Sequence, residues 1–200
     1  PITTASLIRE MVDMPRLAEF PSPFFKTVQF SSYDHRSTEP DGPNWFGNAD
    51  GFGGEPVPNF EAVLKESAGD QPGEYLICDQ AGPGAIVRLW TARIKGEIRM
   101  YLDDVNKPVY DGPAEEFFKT FQNRYAKAAG LDEAVFAGTF SQRDACYFPI
   151  PFAKRCRIVW LGDVKLIHFY QVQIRCYDKS AEVATFKPDD LKTHAETIRE

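Results

Sequence analysis

Apolar residues along this chain change their period twice. Over residues 4–20, Leu7, Ile8, Met11, Val12 and, past Pro15, Leu17 and Ala18 recur at helical spacing, which predicts a short amphipathic helix ended near Pro15. From Phe24 the period becomes two. Phe24, Lys26, Val28 and Phe30 alternate with Phe25, Thr27 and Gln29 behind Pro21 and Pro23, the pattern of a first strand. Strand patterns follow over residues 74–79, 84–91 and 97–102, separated by turn chemistry at 81–84, at Lys95-Gly96 and at Asp103-Asp104. Two more strands are expected over 155–161 and 164–177. In the last of these Val172, Ile174 and Cys176 share one face, and Gln171, Gln173, Arg175 and Tyr177 share the other. Residues 115–136, with Phe117, Phe118, Phe121, Tyr125 and Ala128, fit a helix turning into a loop as well as they fit a strand. A terminal helix opens on Pro188, Asp189 and Asp190. Its apolar face (Leu191, Ala195, Ile198) is expected to stand exposed and to drive self-association.

Many short strands joined by Gly/Pro turns, with helices at the two ends, predict an all-β fold, an antiparallel jelly-roll β-sandwich with short helices at both termini. The divisions expected are a helical arm over 1–20, the jelly roll over 21–186, and over 187–200 the start of a linker helix.

Composition narrows the partners. With 43% hydrophobic residues in 200 the chain can bury a core, and a net charge of −6 without a long cationic block excludes the basic footprint of nucleic-acid binding. Apolar runs such as Ile158-Val159-Trp160-Leu161 are far shorter than the roughly 20 residues of a membrane helix. Cys78, Cys146, Cys156 and Cys176 match no paired zinc spacing and are expected as buried thiols, one disulfide remaining open. No metal and no cofactor are expected. Because Pro1 is not Met, either a signal peptide has been removed or the sequence begins inside a longer one, and a periplasmic or extracellular location is favoured over the cytoplasm.

Candidate chemistry gathers after the first strand. Residues 35–60 read as a long functional loop, rich in Gly and Pro yet carrying Trp45, Phe46 and Phe52. Tyr33, Asp34, Trp45, Asn48 and Asp50 offer carboxylates and an amide for sugar hydroxyls beside flat rings for the apolar face of a sugar. The competing reading has Asp34, Asn48 and Asp50 capping turns and Trp45 plugging the core. A second candidate is the Gln171/Gln173/Arg175 face, either a ligand groove or a packed interface. No dinucleotide, P-loop, nucleophile-elbow or zincin motif occurs, and His35, His168 and His194 fall on a loop, a strand and a helix.

Several segments together resemble one family. They are Ser31-Ser32-Tyr33-Asp34, the run from Asn44 to Asp50, the run from Gly82 to Trp90, the run from Ile98 to Asp104, Phe117-Phe118, the run from Tyr147 to Lys154, and the run from Phe169 to Arg175. In order and spacing they look like the N-terminal half of glycoside hydrolase family 172, with departures at Ile150, where Met is more usual, and at His35, which interrupts a Tyr-Asp-Arg sequence. The resemblance implies two tandem jelly rolls assembled as trimers or hexamers, acting on fructofuranosides, difructose dianhydrides or D-arabinan. It also implies that the catalytic glutamates lie in the second jelly roll, beyond this chain. Asp34, Trp45, Asn48 and Arg175 would then be walls of a furanoside pocket, with Tyr33 and Asp50 beside them. A noncatalytic carbohydrate-binding module and a purely structural sandwich with an oligomer interface are the alternatives.

Overall fold

The computed structural model describes residues 1–47, 49–52 and 59–200. Its strands are β1 (Phe25–Ser31), β2 (Ala62–Lys65), β3 (Gly73–Ala81), β4 (Gly84–Trp90), β5 (Glu97–Leu102), β6 (Tyr110–Pro113), β7 (Ser141–Gln142), β8 (Ala145–Cys146), β9 (Ile150–Phe152), β10 (Arg155–Gly162) and β11 (Gln171–Tyr177). They form two antiparallel sheets enclosing one core, a β-sandwich. One sheet is ordered β1-β11-β4-β8-β7, with β9 also paired to β4, and the other β2-β3-β10-β5-β6. The period of two holds on β11 from Gln171 to Arg175, where Val172 and Ile174 are fully buried while Gln171, Gln173 and Arg175 face outward, but at the strand's end Cys176 is half-buried and Tyr177 is buried with Leu7.

The expected strand over 164–177 is corrected. Only its second half is strand, because Asp163 bends the chain first: its carbonyl accepts the Leu166 N–H at 2.8 Å and its carboxylate the Lys165 N–H at 2.9 Å. Helices are not confined to the termini either. Residues 114–136 fold as α2 (Ala114–Thr120), α3 (Asn123–Ala126) and two 3-10 turns. The reason lies in Phe117-Phe118, both fully buried. A strand would send these neighbours to opposite faces, whereas α2 touches β4, β7 and β8 of one sheet and β5 and β6 of the other, so both rings reach the core.

At the N-terminus Thr3 and Ser6 cap each other's backbone and start α1 (Thr4–Glu10), and a 3-10 turn (Met14–Ala18) follows. The terminal segment is broken at His194 into α4 (Asp190–Thr193) and α5 (Ala195–Arg199). Contrary to the expected exposure, Leu191 and Ile198 are buried with Ile8 of α1 in the main core, and Thr4 Oγ1 donates to Asp190 at 2.7 Å. The apolar stripe already has its partner inside the chain, so it supplies no drive to self-associate. Cys78, Cys146 and Cys156 are buried, Cys176 is half-buried, and all four are free thiols. Burial pushes the Cys146 thiol up to about 12. Among the described residues no helix is long and apolar enough to cross a membrane.

Candidate functional site

β1 ends at Ser31, and the chain then runs over one end of the sandwich instead of pairing further. Ser32 stays attached to the sheet, since its N–H reaches the Tyr170 carbonyl and its hydroxyl accepts the Tyr170 N–H, both at 3.1 Å. Two residues on, Asp34 is almost fully buried. Its Oδ1 accepts the Arg36 N–H at 3.0 Å and Arg36 Nε at 2.9 Å, and its Oδ2 accepts Arg36 Nη2 at 2.7 Å and the Ala49 N–H at 3.4 Å. The Arg36 bonds hold this carboxyl down at about 2, against the opposing push of burial. Asp50 completes the knot by accepting the Asp34 N–H at 3.1 Å. The loop backbone also passes close above Asp34: a Cβ on Gly47 would lie 2.6 Å from Asp34 Oδ2, so only glycine fits there.

The aromatic members of the loop behave differently. Tyr33 is 51% exposed and leans on the His35 ring, tilted by 43° with centroids 4.4 Å apart, Trp45 is 39% exposed and Phe46 is 89% exposed. The competing reading in which Trp45 plugs the core is therefore not met. Ser37 Oγ ties its turn by donating to the Asn44 carbonyl at 2.6 Å. Arg36, fixed edge-on by Asp34, keeps 46% of its side chain open to solvent. The loop thus presents rings and one immobilised guanidinium outward, while Asp34 and Asp50 face inward as its fasteners. Asn48 lies outside the described residues.

Arg175 belongs to another surface. It pairs with Thr27 across β1 and β11, while Ser31 pairs with Gln171, which puts Arg175 roughly 13 Å along the sheet from the root of the loop. Its guanidinium lies 4.5 Å over the Phe25 ring, and Nη1 donates to Glu10 of α1 at 2.6 Å. The same face carries Arg88 donating to Gln171 and Gln173 donating to Gln29, both at 2.8 Å. α1 overhangs this sheet and leaves two clefts of about 360 and 320 Å³, and both include Glu10 and Arg175 in their walls. Of the six residues expected to form one pocket wall, the five that are described are therefore divided, with Tyr33, Asp34, Trp45 and Asp50 on the loop and Arg175 on the sheet face.

Acid–base chemistry finds little here. Among the described residues Asp103 is the other carboxyl whose titration the fold displaces. Although burial pushes it up, the Thr185 hydroxyl and the N–H groups of Lys154 and Arg155 hold it below the usual carboxylate range. A glycosidase acid needs the opposite displacement, toward neutrality. Among the described residues no cluster of His, Cys, Asp and Glu is arranged to hold a metal ion. The sequence reading missed Arg36 as a presented group, Glu10 as the partner of Arg175, and Asn59 and His168 as the anchors of the loop's far end. Glu10 and Arg175 stand 165 positions apart, so no local pattern could pair them. Arg36 and Asp34 are two apart, a spacing that could have been read as a side-chain turn.

The family model described as "GH172 first beta-sandwich domain" matches residues 23–194. No curated protein matches the chain.

Proposed function

The chain belongs to the GH172 family through its first β-sandwich domain, and from this we propose that it is the N-terminal jelly roll of a furanoside-active glycoside hydrolase, holding the sugar and packing against further copies. Its strand order supports the jelly-roll reading. β1 pairs β11, β3 pairs β10, β4 pairs β9 and β5 pairs β6, all antiparallel, which is a single long ribbon wound across two sheets. The sugar is assigned to the loop, and the observation that carries this is the exposure of Tyr33 and Trp45 beside a guanidinium fixed by a buried carboxylate. Rings offer a sugar's apolar face a platform, and Arg36, already immobilised, loses little further freedom on donating to hydroxyls. Asp34 and Asp50 serve this surface by shaping it. The Gln171, Gln173 and Arg175 face, which starts at the root of the loop and runs away from it to Arg175, is assigned to assembly with other copies. Both lowered carboxyls, Asp34 and Asp103, speak against a general acid at either place and favour a binding role for this domain.

The test is titration of the protein with methyl fructofuranoside and methyl arabinofuranoside, with the corresponding pyranosides as controls. Trp45→Ala is expected to weaken furanoside binding up to about tenfold with the melting temperature unchanged. Equal affinity for pyranosides would remove the furanoside assignment. An unaltered affinity in Trp45→Ala would remove the loop. A noncatalytic carbohydrate-binding module predicts the same titration, and differs in that a longer protein containing this domain would cleave no glycoside.

A further inference from the structure

We propose that His168 is a buried imidazolium that clasps the far end of the aromatic loop to the sandwich and loosens it when deprotonated. The ring is 2% exposed and packs against the Phe60 and Trp160 rings, themselves stacked on each other, with centroids 5.1 and 5.2 Å away. Nδ1 lies 2.6 Å from the Leu166 carbonyl oxygen and Nε2 lies 3.0 Å from Asn59 Oδ1. A carbonyl only accepts, so Nδ1 must carry a proton.

The orientation of Asn59 decides the second nitrogen. Its Nδ2 faces the carbonyl oxygens of Ser32, at 3.1 Å, and of Ala49, so the amide nitrogen is committed to two acceptors and Oδ1 is the atom turned to His168. Rotating the amide would give Nε2 a donor but set Oδ1 against two carbonyl oxygens in a buried place. With the amide as it stands, a neutral ring leaves a lone pair facing Oδ1. The doubly protonated ring satisfies every one of these contacts. Burial opposes the charge, and the hydrogen bonds to the Leu166 carbonyl and Asn59 Oδ1 favour it.

Around the ring, among the described residues, the elements packed against it carry the buried phenols Tyr75 and Tyr170, Asp50 next to Gly51, and the exposed Glu61, Lys95 and Lys165. Burial keeps Tyr170 neutral well above its ordinary range, and its hydroxyl donates to the Asn59 carbonyl. Asp50 is engaged by the Asp34 N–H. The clasp extends into the loop through the His168 N–H, which donates to the Gly51 carbonyl at 2.9 Å. Gly51 takes φ +96°, and a Cβ there would meet the His168 carbonyl oxygen at 2.9 Å. A histidine whose folded-state pKa is raised stabilises fully below its unfolded value of about 6.5, and that stabilisation is lost as pH rises through the folded value.

Long-range proton–nitrogen NMR on the intact chain tests the claim directly. Both ring nitrogens of His168 should carry protons at pH 7, the titration midpoint should lie above about 6.5, and Asn59→Leu should lower it. Hydrogen-exchange protection of the Asp34 and His168 amides, corrected for intrinsic rates, should fall across the same midpoint, and that step should vanish in His168→Gln. A single protonated nitrogen at pH 7, or protection that ignores the midpoint, would overturn the proposal. If His168→Gln does not fold, the wild-type titration and exchange decide alone. No sugar enters either measurement, so failure here is distinct from failure of the binding reading.

Discussion

Asp34–Arg36 and Glu10–Arg175 close at 2.7 and 2.6 Å, yet the two pairs live in different surroundings. The first joins neighbours in sequence, and its carboxylate is 1% exposed and also takes two backbone N–H groups. The second joins the N-terminal helix to the last strand, and both side chains remain about a quarter exposed. The same ion-pair chemistry therefore does different work. A sealed carboxylate with several donors organises a loop and cannot be released without leaving those donors unpaired in the interior. A pair at a cleft mouth can exchange its partner for a side chain of another molecule at little expense to the fold.

The largest separation should come from Asp34→Ala. Its removal strips Arg36 and two backbone N–H groups of their acceptor, so we expect a loss of about 3 kcal/mol, or roughly 6 to 12 °C in melting temperature by calorimetry. Any fall in sugar binding should track the loss of folded protein. Unchanged stability with reduced affinity would reverse the roles assigned to Asp34 and the aromatic rings.

Acid offers a gentler probe of the same pair. The carboxyl is lowered from 3.8 to about 2 in the folded chain, so protons bind the unfolded state more readily. Its stabilisation should be complete above about pH 4 and disappear as the pH falls through about 2. Melting temperatures of wild type and Asp34→Ala should therefore draw together over that interval. Parallel curves would mean that the pair is not formed in solution.

The contrast between the two pairs also explains what could be read from the sequence. Alternation of apolar and polar residues located β3, β4, β5, β10 and the outward face of β11, because each spans enough residues to show its period. β7, β8 and β9 have two or three residues and show none. Phe117-Phe118 read ambiguously because adjacency suits a helix only when both sheets lie within its reach, a tertiary fact. At the site, residue types marked the loop correctly as a place of aromatics and carboxylates, whereas the division of labour between them depends on burial. Asp34 and Trp45 look equally fit to touch a sugar until one is seen facing inward and the other outward. The burial of Leu191 and Ile198 was hidden in the same way, since their cover is Ile8, at the opposite end of the sequence.

The smallest effect on stability should come from the open pair. Arg175→Ala removes one partly exposed ion pair and the stacking on Phe25, while Glu10, near the surface, can recover water. We expect a change below about 1 kcal/mol and no change in furanoside affinity, because Arg175 stands roughly 13 Å along the strand from the loop's root. The expected response is in assembly: if the β4/β11 face meets another copy, sedimentation equilibrium should show weaker association for Arg175→Ala than for wild type. Glu10→Gln should behave differently, because Arg175 would keep its charge and gain freedom to engage a partner, so association should be equal or stronger. Reduced sugar affinity in Arg175→Ala, with association intact, would instead move Arg175 into the binding surface and join the two regions into one site.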